Sequence, residues 1–143
     1  MAIIQNLCLS YKKEILEGLH QSTHQYKIAL FTKEANLTKH TKSYIGLDYE
    51  VSNVGTGYTI GGIVLTGFSV SLINDIAILD FINDPFWTNV SFIARGAIIY
   101  NNSLVNKNTI AILDFGSDYT CANGTFSIIL PAPGEATALI RIV

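Results

Sequence analysis

Charge is scarce in this chain. Asp, Glu, Lys and Arg make up 14% of its 143 residues, where about a quarter is usual for a soluble domain. With 49% hydrophobic residues, this excludes a charge-swollen disordered segment. It also argues against a solitary monomer, because a charge-poor domain leaves apolar surface that needs covering. A net charge of −2 offers no basic excess for nucleic acid or an anionic membrane. The balance is uneven: residues 1–42 hold six Lys against three Glu, and residues 43–143 hold three basic against eight acidic residues. The N-terminal lysines read as a solvated stretch.

Cysteine is nearly absent. Cys8 and Cys121 are too few for a disulfide framework and lack metal-site spacing, so both read as buried free thiols. No long hydrophobic run is present either. Val51–Asn74 is uncharged but contains five glycines, and its most apolar part, Ile60–Ile73, is about 14 residues long, too short for a membrane span. The opening MAIIQNLCLSYKK has no basic segment ahead of its apolar stretch, so no signal peptide is expected.

What the chain does contain is a series of short β-branched and aromatic runs. YKIALFT, IVLTGF, IAILDF, VSFIARGAIIY, a second IAILDF, TFSIIL and ALIRIV are punctuated by Asn, Gly, Ser, Asp and Pro. They predict a mainly β, antiparallel domain, either a sandwich or barrel-like, spanning residues 1–143. One short helix is expected ahead of the strands, in an N-terminal arm of residues 1–20. Asn6 or Ser10 would cap it, and Cys8, Tyr11, Ile15 and Leu19 would form its apolar stripe.

The hexapeptide IAILDF occurs at Ile76–Phe81 and again at Ile110–Phe115. Aligning residues 62–95 on 96–129 without gaps gives 12 identities in 34 positions. The pattern predicts two similar β-meander units, each with the hexapeptide in a central strand. Asp80 and Asp114 fall near the strand ends, where a carboxylate accepts backbone N–H groups of the following turn. A metal cluster of Asp80, Asp84, Asp114 and Asp118 is the sharper alternative, but the spacing lacks the density of a calcium loop.

No catalytic constellation emerges from the remaining residues. His20 and His24 are four apart without the Glu of a zinc-protease helix. GTGYTIGG lacks the GK[ST] ending of a phosphate loop, and no nucleophile elbow is present. No cofactor or metal is expected. Phe86 and Trp87, beside Pro85, are either core-capping aromatics or interface anchors.

Several stretches are informative together: EVSNVGTGYTIGG, SFIARGAIIYNNS, AILDFGSD, GTFSIILP, the terminal ALIRIV and the opening CLSYKKEILEGLHQSTHQYKIALFT. In this order they resemble a family of small proteins encoded among the virion genes of tailed bacteriophages, including marine and cyanobacterial phages. The family motif reads E-V-x-G-x-G-Y-x-x-G-G; here the turn is longer, Val54 being extra, and INDIAILDFINDPF is more apolar than usual. The resemblance implies a structural virion protein made in the host cytoplasm, with no catalytic residues to carry over. A capsid decoration, or cement, protein contacting the major capsid protein is the preferred expectation; a tail, neck or fibre-associated adaptor is the alternative. A homo-oligomer, first of all a trimer, is expected, with Tyr11, Ile15, Leu19, Phe86 and Trp87 as candidate interface residues and no membrane or nucleic-acid partner. Two other classes stay open: a polysaccharide-cleaving enzyme, and a small glycan-binding module using Trp87 and nearby tyrosines.

Overall fold

The computed structural model describes residues 2–132, 134 and 137–143. It is mainly β, with one short helix and two antiparallel sheets in a sandwich-type arrangement; the sheets do not join into a closed barrel. The larger sheet is built from β1 (Asn6–Leu7), β2 (Tyr26–Phe31), β3 (Ile63–Val64), β6 (Phe86–Asn101) and β7 (Thr109–Ser127), in the order β1-β7-β6-β2-β3. The smaller contains β4 (Phe68–Ile73), β5 (Ile76–Phe81) and β8 (Ile140–Ile142), with β5 central.

The N-terminal arm is less helical than its composition suggests. Residues before Cys8 are extended: Ile3 bridges Leu37, and β1 pairs with Ile112 and Ala111 of β7. Backbone pairing to a sheet edge thus outweighs the apolar stripe over the first residues. The helix α1 covers only Leu9–Leu16, with Cys8 at its N-cap and no side-chain cap, so neither Asn6 nor Ser10 has the expected role. Gly18, at φ +69°, ends it by donating its N–H to Ile15 O, a left-handed termination that glycine tolerates. Leu19 therefore lies beyond the helix.

β6 and β7 form a long antiparallel ribbon. Only the second half of β6, Gly96–Asn101, also pairs with β2; its first half pairs with β7 alone. The polar GSD expected to break the second hexapeptide strand is absorbed instead. Gly116 takes φ +81°, and Asp114 Oδ1 accepts its N–H at 2.9 Å, so the chain bends and β7 continues to Ser127. Asp114 is thus a mid-strand bend residue rather than a strand terminator.

Both hexapeptides are strands, and each is the second strand of an antiparallel hairpin. The likeness stops there. The first is preceded by β4 at residues 68–73 through a tight Asn74-Asp75 turn, whereas the gapless equivalent of β4, residues 102–107, is the connection between β6 and β7. The third strands diverge as well, since Phe86–Arg95 joins the larger sheet instead of pairing with β5. The two meanders are therefore not equivalent: a hairpin strand is shared, and its surroundings differ.

The sheets meet through aromatic rings. Tyr26 of β2 stacks on Phe68 at 5.4 Å and tilts against Phe81 at 5.7 Å. Ile28, Ala29, Leu30 and Phe31 of β2 are wholly buried. The loop returning to β3 comes so close that a Cβ on Gly62 would lie 1.8 Å from Ile28 O, at φ +79°, so only glycine fits.

Candidate assembly surface

Strand alternation places Phe68, Val70 and Leu72 on one face of the smaller sheet, opposite their partners Phe81, Leu79 and Ala77, with Ile140 and Ile142 completing it. At one end this face is covered: Phe81 and Ile140 are buried. Tyr11 and Ile15 of helix α1 share a groove with Val70, Leu79, Ile140 and Ile142 of this sheet. Val70, Leu72 and Ile142 are 62%, 75% and 55% exposed, and Leu16 at the helix end is 90% exposed. The groove has a volume of about 130 Å³ and is lined by apolar side chains and the Tyr11 ring, with no charged lining residue.

The interface residues expected from sequence separate into two places. Tyr11 and Ile15 line this groove, although Tyr11 is itself buried and half belongs to the core. Leu19 is partly exposed after the helix. Phe86, at the start of β6, is 59% exposed. Trp87 is not an exposed anchor: it is 5% exposed, because the next position along a strand points to the opposite face. It joins Tyr58, Phe92, Phe126 and Phe115 in an array of ring contacts with centroids 5.3–6.5 Å apart. Its Nε1 has no hydrogen-bond partner among the described residues. The outer end of that array opens into a second depression of about 320 Å³ beside β7, lined by Phe115, Tyr119, Phe126, Ile128 and Ile129.

Val70 and Leu72 fall between the runs read as strands, IVLTGF and IAILDF, and Ile142, although within the run ALIRIV, was not singled out as a surface residue. For the first two the signal was present in the period of two of FSVSLI, which sends Phe68, Val70 and Leu72 to one side.

Polar networks hold the long connection and the α1–β2 segment in place. The Glu50 carboxylate accepts the Tyr44 hydroxyl, the Tyr58 hydroxyl at 2.7 Å and the Gly61 N–H at 2.8 Å. Tyr58 Oη accepts the Leu30 N–H at 2.9 Å, and Tyr100 donates to Gly61 O at 2.6 Å while stacking on Tyr44. Glu50, Tyr58, Gly61 and Gly62 of the E-V…G-x-G-Y-x-x-G-G motif thus form a clamp on β2. Burial first, and the Glu50 carboxylate after it, raise the Tyr44, Tyr58 and Tyr100 hydroxyls, Tyr100 to about 12. Burial also pushes Tyr11 and Tyr26 up to about 12.

The aspartates occupy separate settings. Asp80 is buried and its Oδ1 accepts the N–H of Phe81, its own neighbour, instead of the following turn; burial raises its carboxyl above the usual value. Asp84 Oδ1 accepts the Leu130 N–H, and Asp118 pairs with Arg95 at 3.1 Å. Asp80 lies in the smaller sheet and Asp114 in the larger. Among the described residues no three His, Cys, Asp or Glu side chains are grouped as metal ligands, and no helix is long and apolar enough to cross a membrane. No protein-family model matches the chain, and neither a curated protein nor a solved structure matches it.

Proposed function

We propose that this chain is a structural component of a tailed-bacteriophage virion that acts by protein–protein contact, as a homo-oligomeric decoration protein bound to the major capsid protein. The observation that carries the reading is the uncovered end of the smaller sheet. Val70 and Ile142 line an uncharged groove while remaining largely exposed, and Leu72, on the same strand face as Val70, and Leu16, at the end of α1, also present large apolar side chains to solvent. Burying such side chains stabilises a contact by about 1.5–3 kcal/mol each when coverage is complete, and clustered exposure of this kind marks an interaction site. The resemblance to virion-encoded proteins supplies the context, and a trimer is the first expectation for the oligomer.

The test uses phage carrying Leu72→Asp, a change at an exposed position that leaves the core intact, beside phage with the gene deleted. A decoration role predicts purified heads that assemble, lack the altered protein, and release DNA at lower temperature or lower salt than the parent. Normal heads without complete tails would move the protein to the tail or neck. Its absence from parental particles would defeat both.

A further inference from the structure

Asn101, at the end of β6, is wholly buried and binds two histidines at once. Its Nδ2 lies 3.0 Å from His20 Nδ1 and 2.9 Å from His24 Nδ1. The amide orientation is set by its other atom, since Asn101 Oδ1 accepts the Ser103 N–H at 3.0 Å. Nδ2 is therefore the group facing the histidines, and both Nδ1 atoms must act as acceptors. His24 Nδ1 also accepts the Gln21 N–H at 3.2 Å. Every contact to that atom requires a lone pair.

We propose that His20, Asn101 and His24 form an acid-sensitive latch that holds the α1–β2 connection, residues 18–25, against the end of β6, with His24 as its trigger. Histidine is the side chain that changes charge within the range of about pH 5 to 8. On His24 an added proton turns Nδ1 into a donor facing two donors, Asn101 Nδ2 and the Gln21 N–H. Flipping the amide brings no relief, because it sets the NH2 against the Ser103 N–H.

The two histidines are not equivalent. His20 Nε2 lies 2.8 Å from Glu14 Oε1, and Asn108 Nδ2 donates to Glu14 Oε2 at 2.9 Å. A proton on His20 therefore strengthens a buried ion pair while it disturbs a single hydrogen bond. The Tyr11 and Tyr26 rings flank His20, Cys8 lies within the field of Glu14, and Lys107 Nζ is held on Asn102 O. Among these contacts Glu14 is the carboxylate that faces a histidine, and it faces His20. The latch releases a defined segment. Residue 25 stays tied through Asn102 N–H to Gln25 O and Gln25 N–H to Ser103 Oγ, so opening stops short of β2.

Amide hydrogen exchange on the full chain, expressed as protection factors to remove the intrinsic pH dependence, reads the opening directly. Between about pH 7.5 and pH 5, residues 18–24 are expected to lose protection about tenfold or more, while residue 25 and β2 keep theirs. His24→Gln keeps an acceptor that does not titrate, so its protection should change less than about twofold. In the unmodified protein the His24 imidazole proton resonances give its titration midpoint by NMR, which the opening should follow; this holds the test open if the variant fails to pack. Protection of residues 18–24 that is unchanged while His24 titrates would overturn the latch. So would a wild-type response in His24→Gln, or an opening midpoint that tracks His20.

Discussion

Replacing Glu50 by Ala removes the acceptor for three donors at once: the Tyr44 hydroxyl, the Tyr58 hydroxyl and the Gly61 N–H. A hydrogen bond to a charged group contributes about 1.5–3 kcal/mol, but the three share one carboxylate and do not add. Glu50 is also partly exposed, so water replaces some of what is lost. The expected cost of Glu50→Ala is about 3–4 kcal/mol, a large share of the roughly 5–15 kcal/mol that holds a domain folded. The Tyr58 O–H does not regain an acceptor from solvent, because the residue is 2% exposed and the Leu30 N–H bonded to its oxygen holds it in place. Glu50→Gln keeps one carbonyl oxygen and should cost less, about 1–2 kcal/mol. Urea unfolding followed by fluorescence suits the measurement, since the chain has one tryptophan and Trp87 packs 6.5 Å from the Tyr58 ring. A double-mutant cycle with Tyr58→Phe should give a coupling of about 1–2 kcal/mol. If Glu50→Ala unfolds within about 0.5 kcal/mol of the parent, the clamp does not hold the loop and the reasoning fails.

Two further outcomes follow from neighbouring residues. Trp87→Ala should destabilise by about 3–5 kcal/mol while Phe86→Ala costs under about 1 kcal/mol, because one ring is buried and its neighbour is 59% exposed; similar losses from both would contradict the assigned faces. In alkali the raised hydroxyls of Tyr11, Tyr26 and Tyr100, at about 12, and those of Tyr44 and Tyr58 keep the folded form neutral, so their contribution is complete below about pH 10 and is lost as pH rises through the folded values. Tyrosinate absorbance should therefore show late-titrating groups whose ionisation coincides with unfolding, and simultaneous titration of all seven tyrosines near pH 10 in a folded chain would refute it.

Much of the β architecture was legible because β2, β6 and β8 are runs of branched and aromatic residues bounded by polar turns. The helix was legible from Tyr11 and Ile15, and its length was not, because pairing of Asn6–Leu7 with Ile112 and Ala111 is a contact with residues far along the chain. Local signals also failed at Gly116–Asp118, where a glycine and an aspartate that normally end a strand only bend it. The repeat misled for a related reason: identical hexapeptides have the same strand preference, but partners such as Val70 for the first and Ile98 for the second decide which sheet each enters. At the candidate surface, Phe86 and Trp87 were picked as a pair from residue type, and only the strand's alternation separates them. The Glu50 clamp was present as a motif, whereas the convergence of His20 and His24 on Asn101 had no linear signature.

The pairing of β1 with β7 also governs when the protein can finish folding. Asn6 is translated ahead of its partner Ile112, and the whole stretch between them must be made before the two can pair. At about 5–20 residues per second, the wait is on the order of 5–20 s. The β4–β5 and β6–β7 hairpins close from neighbouring segments and need no such delay, but Asn6–Leu7 has no strand to pair with until β7 exists, although Ile3 can already bridge Leu37. Throughout that interval Ile3, Leu7, Tyr11 and Ile15 stay uncovered, so the apolar side chains that later meet the core are first a burden on the nascent chain. The segment carrying β1 and α1 must therefore be kept apart from other nascent chains until β7 is translated.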